Sequence, residues 1–372
     1  MKFTCEKLLL LVAILTASRA TATKSAVPLL EGLMLEAEGE RVRISGYDLK
    51  TGIVTTVPAE VEEEGGIVLN ARLFGEIIRK APGQYVTITV KSNFAASIIS
   101  EMSEFDILGS PTSDYPELPT VEGQDSIEID ETLLKKMISQ TNFAVSDNES
   151  RPIYTGALFE VGEGELTIVA VDGFRLAIRR EPLDRNETRA LSFVVPGTAL
   201  NEVERIASEG DNVVTITLGP KHIMFTLGDT MLVSRRLEGE FLNYRTSIPQ
   251  SSKYQVIVKK EELISSVERV ALIISDKLKS PVRCIFGDNI IKLSTTSELG
   301  KANDECDMSG SGEDTEIGFN DKYFLDALKA APASEIKLDL TTGAAPCVIS
   351  PADGSENFLY MILPVRLKTY DN

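Results

Sequence analysis

Two tight turns carry the aspartates that could do chemistry: Asp48 in the run Gly46-Tyr47-Asp48-Leu49, and Asp172 in Val171-Asp172-Gly173-Phe174-Arg175. Paired carboxylates perform acid–base work when they converge on one pocket and their surroundings push their pKa values apart. Asp48 and Asp172 stand 124 positions apart at matching places of a repeat, so they are expected on equivalent turns of different domains. His222 is the sole histidine, which excludes histidine-based triads and multi-histidine metal sites, because both need imidazole as base or ligand. The four cysteines, Cys5, Cys284, Cys306 and Cys347, show no CxxC spacing, and three lie in apolar, strand-like contexts where a thiol acts as a small hydrophobe. A reducing cytoplasm fits this usage; a disulfide framework is the open alternative. No GxxxxGK[ST] loop is present, so any nucleotide-driven step has to come from another protein. The expectation is a binding protein with no cofactor and no metal, and an enzyme built on Asp48 and Asp172 is the rival from another class.

The chain that must position these turns has 372 residues, enough for two or three domains each with its own core. Hydrophobic residues make up 43% and charged residues 25%, and no apolar run approaches the roughly 20 residues of a membrane span. Thirty-eight basic against fifty-six acidic residues leave a formal charge of -18, which argues against ordinary DNA binding, where Lys and Arg neutralise phosphates. The start of the chain imitates a secretory signal, with a lysine, an apolar run from Leu8 to Leu15 and small residues from Ala17 to Ala22. A secreted repeat protein processed after Ala20 or Ala22 is therefore a further alternative.

Internal comparison weighs against that alternative. KFTCEKLLLLVAILTASRA lines up with SIEIDETLLKKMISQTNFA from Ser126 and with QVIVKKEELISSVERVALI from Gln255. Each is an alternating strand running into an amphipathic helix. Pro28, Gly32 and Asp48 recur as Pro152, Gly156 and Asp172, all offset by 124 residues. The third copy keeps Pro281 and the strand-turn-strand alternation but loses the glycine and the aspartate. A second strand-helix-strand unit follows in each third, with apolar residues three and four apart, as in Leu73, Phe74, Ile77 and Ile78, or Tyr323, Phe324, Ala327 and Leu328. Pro- and Ser-rich junctions, SPTSDYPELPTVEG from Ser110 and NYRTSIPQSSK from Asn243, separate the thirds. The fold expected is α+β, with three similar domains at residues 1–121, 125–248 and 253–372, each of two helices backed by antiparallel sheet. The acidic, glycine-bearing stretch from Lys301 to Glu316 is expected as a long solvated hairpin loop.

Taken in order, MKFTCEK, VPLLEGLMLEA, DYPELP, VDGFRLA, SELG, IGFN and YMILPVRL resemble the bacterial sliding clamp family, the beta subunit of DNA polymerase III. The resemblance covers essentially the whole chain. It implies a head-to-tail homodimeric ring of six domains around duplex DNA, with helices lining the hole. Its partners would be the replicative polymerase, a clamp loader and other proteins carrying a clamp-binding motif, with no membrane and a cytoplasmic location. Encirclement would also account for the acidic charge, since a threaded duplex is held by topology and needs only weak phosphate contacts. The alternative within the family is a diverged paralogue that does not encircle DNA and acts as a peptide-binding module.

The resemblance also implies sites. A partner-peptide pocket would use Tyr154, Val171, Gly173, Phe174, Arg175 and Leu176 from the second domain. Leu242, Thr246 and Ser247 would join from the connection, and Ile362, Leu363, Pro364, Val365 and Arg366 from the end of the third domain. Gly173 would let a partner backbone approach, and Arg175 or Arg366 would pair with an acceptor. Read without the resemblance, VDGFRLA is a hairpin turn with Leu176 in the core. Phe174, Leu242 and Thr246 depart from the family pattern, and Lys368 to Asn372 extend past the terminal Arg-Leu, placed to shade the pocket. Lining candidates are Lys24, Arg72, Arg79, Lys80, Lys135, Lys136, Lys322 and Lys329, each readable also as an ordinary solvated helix residue. The ring joint would set Ile273 and Ile274 against Phe105.

Overall fold

In KFTCE, Phe3 and Cys5 alternate with half-exposed residues, and both are buried, which makes this stretch a one-sided strand feeding directly into the first helix. The computed structural model describes residues 1–122, 125–183, 190–275, 280–354 and 357–367. The first repeat runs β1 (Lys2–Glu6), α1 (Lys7–Ala17), β2 (Gly32–Glu38), β3 (Arg41–Tyr47), β4 (Thr51–Pro58), β5 (Glu60–Glu63), β6 (Gly65–Asn70), α2 (Ala71–Lys80), β7 (Tyr85–Val90), β8 (Ala95–Ser100) and β9 (Ser103–Leu108). The second runs β10 (Asp125–Asp130), α3 (Glu131–Ser139), β11 (Gly156–Gly162), β12 (Glu165–Val171), β13 (Arg175–Pro182), β14 (Leu191–Pro196), α4 (Gly197–Ile206), β15 (Val213–Leu218), β16 (His222–Leu227) and β17 (Thr230–Arg235). The third runs β18 (Tyr254–Lys259), α5 (Lys260–Ala271), β19 (Val282–Ser297), β20 (Gly300–Phe319), α6 (Asp321–Ala330), β21 (Glu335–Leu340), β22 (Cys347–Pro351) and β23 (Phe358–Ile362). These are three similar domains, each of antiparallel sheet with two helices.

The sheets do not stop at the repeat boundaries. One compact unit comprises Met1–Lys135 and Asn201–Arg236, and holds a five-stranded sheet, β5-β1-β7-β8-β9, and an eight-stranded sheet, β10-β15-β16-β17-β4-β3-β2-β6. The other comprises Lys136–Leu200 and Leu237–Asn372, with a ten-stranded sheet, β14-β11-β12-β13-β23-β22-β21-β18-β20-β19. The second repeat is divided between the units because β17 pairs with β4 of the first repeat and β13 with β23 of the third.

Each repeat uses the same local devices. Asn70, Asp130 and Asn320 accept the backbone N–H three residues on, at 3.0, 2.7 and 3.0 Å, and so start α2, α3 and α6. Lys7 opens α1 and donates to Ala81 O at 2.8 Å, and Lys260 opens α5 and donates to Ala331 O at 2.9 Å. In each case an ammonium meets the negative end of the repeat's second helix. Glu131 takes the matching place in the second repeat and accepts Ser208 N at 2.7 Å, while Lys135, one turn on, donates to Ala207 O at 2.9 Å.

The stretch from Lys301 to Glu316 is strand, not the expected loop: β20 pairs with β19 from Gly300 opposite Ser297 to Phe319 opposite Val282. Its acidic composition conceals period-two alternation, in which Cys306 and Met308 are buried while Glu305 and Asp307 face solvent. All four cysteines are free and buried. Burial pushes the Cys5 and Cys347 thiols up to about 12 and Cys306 up to about 11, so they behave as apolar side chains. No helix among the described residues is long and apolar enough to cross a membrane.

Candidate functional site

The turn between β12 and β13 is built by its own residues. Asp172 Oδ1 accepts the N–H groups of Phe174 at 2.9 Å and Arg175 at 3.0 Å, and Gly173 adopts φ +92°. Asp48 does the same in the other unit, accepting from Lys50 at 2.8 Å and Thr51 at 2.7 Å, with Leu49 at φ 72°. Both aspartates are engaged in shaping their turns, and they lie in different compact units.

The β13–β23 joint sets Arg175 opposite Ile362 and Leu176 opposite Met361, and Leu363 N continues it by donating to Phe174 O at 2.8 Å. Residues 171–176 and 362–365 are thereby neighbours. The connection carrying Leu242, Thr246 and Ser247 is anchored by Tyr244, which is 1% exposed and whose hydroxyl donates to Glu160 Oε2 at 2.7 Å. Arg245 binds the same carboxylate at 2.7 Å. Burial pushes the Glu160 carboxyl up, but the hydrogen bonds from Arg245 and Tyr244 outweigh it and hold the group below its usual range. Tyr154 packs edge-on against Phe241 with ring centroids 5.5 Å apart.

Val171, Leu176 and Tyr154 belong to one apolar cluster with Leu158, Tyr244, Val348 and Met361. Phe174, Leu242, Leu363 and Val365 remain exposed, at 58%, 39%, 37% and 37%. Phe174 and Leu363 are joined through their backbones, Val365 lies two residues on, and Leu242 adjoins Phe241 of the cluster. Exposed apolar side chains thus border a buried apolar cluster, the makings of a binding surface. A cavity of about 280 Å³ opens onto the same cluster, lined by Ile248, Pro249, Val348 and Leu359 among others. Gly173, Thr246, Ser247 and Arg366 are exposed and Pro364 is half-buried, whereas Ile362 is wholly buried in the strand core and offers no surface. Lys368 to Asn372 lie outside the described residues.

Arg175 corrects the expectation that it pairs with a partner's acceptor. It is 8% exposed, and its guanidinium donates to Asp172 Oδ2 at 2.9 Å, Asp326 Oδ2 at 2.6 Å and Phe143 O at 2.6 Å. It also lies 4.5 Å from the Tyr323 ring centroid, and Tyr323 in turn stacks on Phe174 at 5.9 Å. Arg175 therefore ties the turn to α6, and Arg366 is left as the exposed cation. Sequence reasoning missed Asp326, Tyr323, Phe241, Tyr244, Val348 and Met361. Only Tyr244 left a signal, as an aromatic inside a Pro- and Ser-rich junction, like Tyr115 in DYPELP.

The first unit carries the counterpart of this arrangement, already filled. Tyr115 is buried and donates to Gly32 O at 3.3 Å, within a cluster of Tyr47, Val68, Leu29, Met34 and Leu118. Gly52 stands where Leu176 stands in the second repeat, and a Cβ there would lie 2.9 Å from Leu118 Cδ2. The connection's own Leu118 thus covers that sheet position.

Three family models match along the chain: the N-terminal domain of the DNA polymerase III beta subunit at residues 1–119, its central domain at 128–243 and its C-terminal domain at 245–366. The chain belongs to the DNA polymerase III beta subunit family. It is 34% identical to the "Beta sliding clamp" of Halalkalibacterium halodurans, over 94% of this chain and 95% of that one. It is 33% identical to the Bacillus subtilis "Beta sliding clamp", over 98% and 100%. The crystal structure of the DNA polymerase sliding clamp from Bacillus subtilis superposes with a TM-score of 0.94 at 32% identity, covering 99% of this chain and 100% of that one. A beta subunit from Eubacterium rectale, described as putative, superposes at 0.93 with 33% identity, covering 99% and 100%.

Within this beta subunit chain the eight basic candidates differ in what they already hold. Lys135 is committed to Ala207 O, Arg79 pairs with Glu76, and Lys329 with Glu268 at 2.7 Å. Lys24, on the loop after α1, and Arg72, Lys80, Lys136 and Lys322, on helices, are exposed. The solvent face of α1 is apolar: Leu8, Val12 and Leu15 are 62%, 63% and 42% exposed. Phe105 is 39% exposed on β9, and Ile273 and Ile274 are half-buried after α5, beside Leu272 at 81% exposed.

Proposed function

We propose that this chain is a DNA sliding clamp: two copies close head to tail into a ring around duplex DNA, and a surface on each copy tethers the polymerase. The observation that carries the reading is the sheet joint used twice within the chain. β4 accepts β17, and β13 accepts β23, in matching register. The strand equivalent to β17 and β23 in the first repeat is β9, which has β8 on one side and no partner on the other among the described residues. The strand equivalent to β4 and β13 in the third repeat is the first half of β20, whose Gly300–Asp307 stretch pairs, among the described residues, only with β19. Each copy therefore presents one edge of each kind, and a second copy satisfies both. On that joint Phe105 of one copy meets the end of α5 of the other, where Leu272, Ile273 and Ile274 lie.

The net charge of -18 is compatible with encirclement, since topology rather than affinity retains the duplex. Lys24, Arg72, Lys80, Lys136 and Lys322 are the lining cations, and α1 adds apolar surface instead. Domains at 1–121, 125–248 and 253–372 supply six similar units to the ring. The apolar surface of Phe174, Leu242, Leu363 and Val365, with Tyr154 and Arg366, receives a short peptide of the polymerase, the clamp loader or other partners in the bacterial cytoplasm. Function by tethering needs no catalytic group, metal or cofactor.

Light scattering across a dilution series, with negative-stain imaging of the same fractions, tests the ring. The expected result is a mass near twice 40.6 kDa with ring-shaped particles. A monomer at every concentration, without rings, would refute encirclement.

A further inference from the structure

The two joints inside the chain share one register, and that register assigns the contacts of the third. Thr51 pairs with Ser234 and Thr55 with Thr230; Arg175 pairs with Ile362 and Arg179 with Phe358. An independent bridge locates the equivalent strand of the third repeat: Glu60 pairs with Thr4, and Ser309 pairs with Ile257 at the matching place. Counting back equally from Glu60 and Ser309, Thr51 corresponds to Gly300. On the other edge, Ser100 pairs with Ser103 across the β8–β9 turn as Leu227 pairs with Thr230 across the β16–β17 turn, so Ile107 corresponds to Ser234. Carried over, the register sets Gly300 opposite Ile107, Lys301 opposite Asp106, Ala302 opposite Phe105 and Asn303 opposite Glu104.

Strand side chains alternate, so Glu104, Asp106 and Lys301 share one face of this joint while Phe105 and Ala302 share the other. All three charged residues are exposed. Glu104 Oε1 accepts from Ser97 Oγ at 3.2 Å, and Asp106 lies 3.7 Å from Lys91 with both side chains more than half exposed. We infer that Lys301 of one copy sits between Glu104 and Asp106 of the next, and that this charge triplet selects which edges join. It rests on the ring reading above. Two β9 edges facing each other would set acid against acid, whereas β9 facing β20 sets acid against lysine, directly opposite Asp106 and diagonal to Glu104, both within reach of a long side chain. On the opposite face Ala302 leaves room for Phe105, beside α5, whose Arg269 binds Asp304.

Charge exchange tests this with full-length chains. Lys301→Glu alone and Glu104→Lys with Asp106→Lys alone each raise the dimer dissociation constant about ten-fold or more in low salt, each ten-fold being about 1.4 kcal/mol. An equimolar mixture of the two variants forms a heterodimer of near wild-type affinity, because both of its joints are complementary. Sedimentation velocity of each variant and of the mixture reads the outcome, with circular dichroism melts as the folding control. If wild type dimerises and Lys301→Glu dimerises equally well, or the mixture fails to recover, the triplet is wrong while the ring stands. A monomeric wild type would instead sink the ring reading beneath it.

Discussion

Arg175 lends itself to a quantitative test because so many groups depend on it. Replacing it with alanine takes the cation from Asp172 Oδ2 and Asp326, whose side chains are 10% and 32% exposed, leaves Asp172 only its two backbone N–H donors, and empties the space beside Tyr323. Removing one partner of a buried charge network costs about 3–5 kcal/mol. The partial exposure of Asp326 favours the lower end of that range, and the lost contact with Tyr323 adds about 1 kcal/mol. Arg175→Lys keeps the charge but reaches one acceptor instead of three, so it should recover less than half of the loss. Urea denaturation measures both variants. Binding of a fluorescent partner peptide should weaken as well, because the turn whose Phe174 carbonyl accepts Leu363 N–H is no longer tied to α6. If Arg175→Lys matches wild type within about 0.5 kcal/mol and binds peptide normally, the directed fork is irrelevant and the argument fails.

Lys260→Met keeps the aliphatic stem but removes the ammonium from Ala331 O. The expected loss is about 1–2 kcal/mol, seen as faster hydrogen exchange in the last turn of α6; unchanged protection there would count against the tie. Glu160 predicts a pH dependence. Its folded pKa is lowered, so its stabilising contribution is complete above its ordinary value of 4.5 and is lost as pH falls through the lower folded value. Glu160→Gln should flatten the acid side of the stability profile below that pH, and an unaltered profile would show that the Tyr244 anchor does not depend on the charge.

Much of the fold was legible because period-two and helical patterns recur at matching offsets, so Pro28, Gly32 and Asp48 predicted their own counterparts. β20 was not legible, because counting acidic residues hid the alternation that buries Cys306 and Met308. For the candidate site, the resemblance named segments that β13 and β23 place side by side, but it could not tell lip from interior. Ile362 and Leu176 are enclosed by strand pairing, and Arg175 turns inward, because their directions are set by β13 meeting β23, strands far apart in the chain. Lys135 misled for a related reason: a long cation on a helix reads as solvent-facing until the neighbouring helix end supplies a carbonyl.

Leu118 bears on traffic. With the first-repeat position covered by the chain's own Leu118, the proposed peptide surface on the second repeat has no open twin on the first, and on the ring reading a dimer offers one such second-repeat surface per copy. If that proposed surface is the one place for partner peptides, the polymerase and the clamp loader would compete for it, and exchange between them would be a matter of local concentration and residence time. A peptide titration that saturates at one equivalent per chain is what such a queue requires.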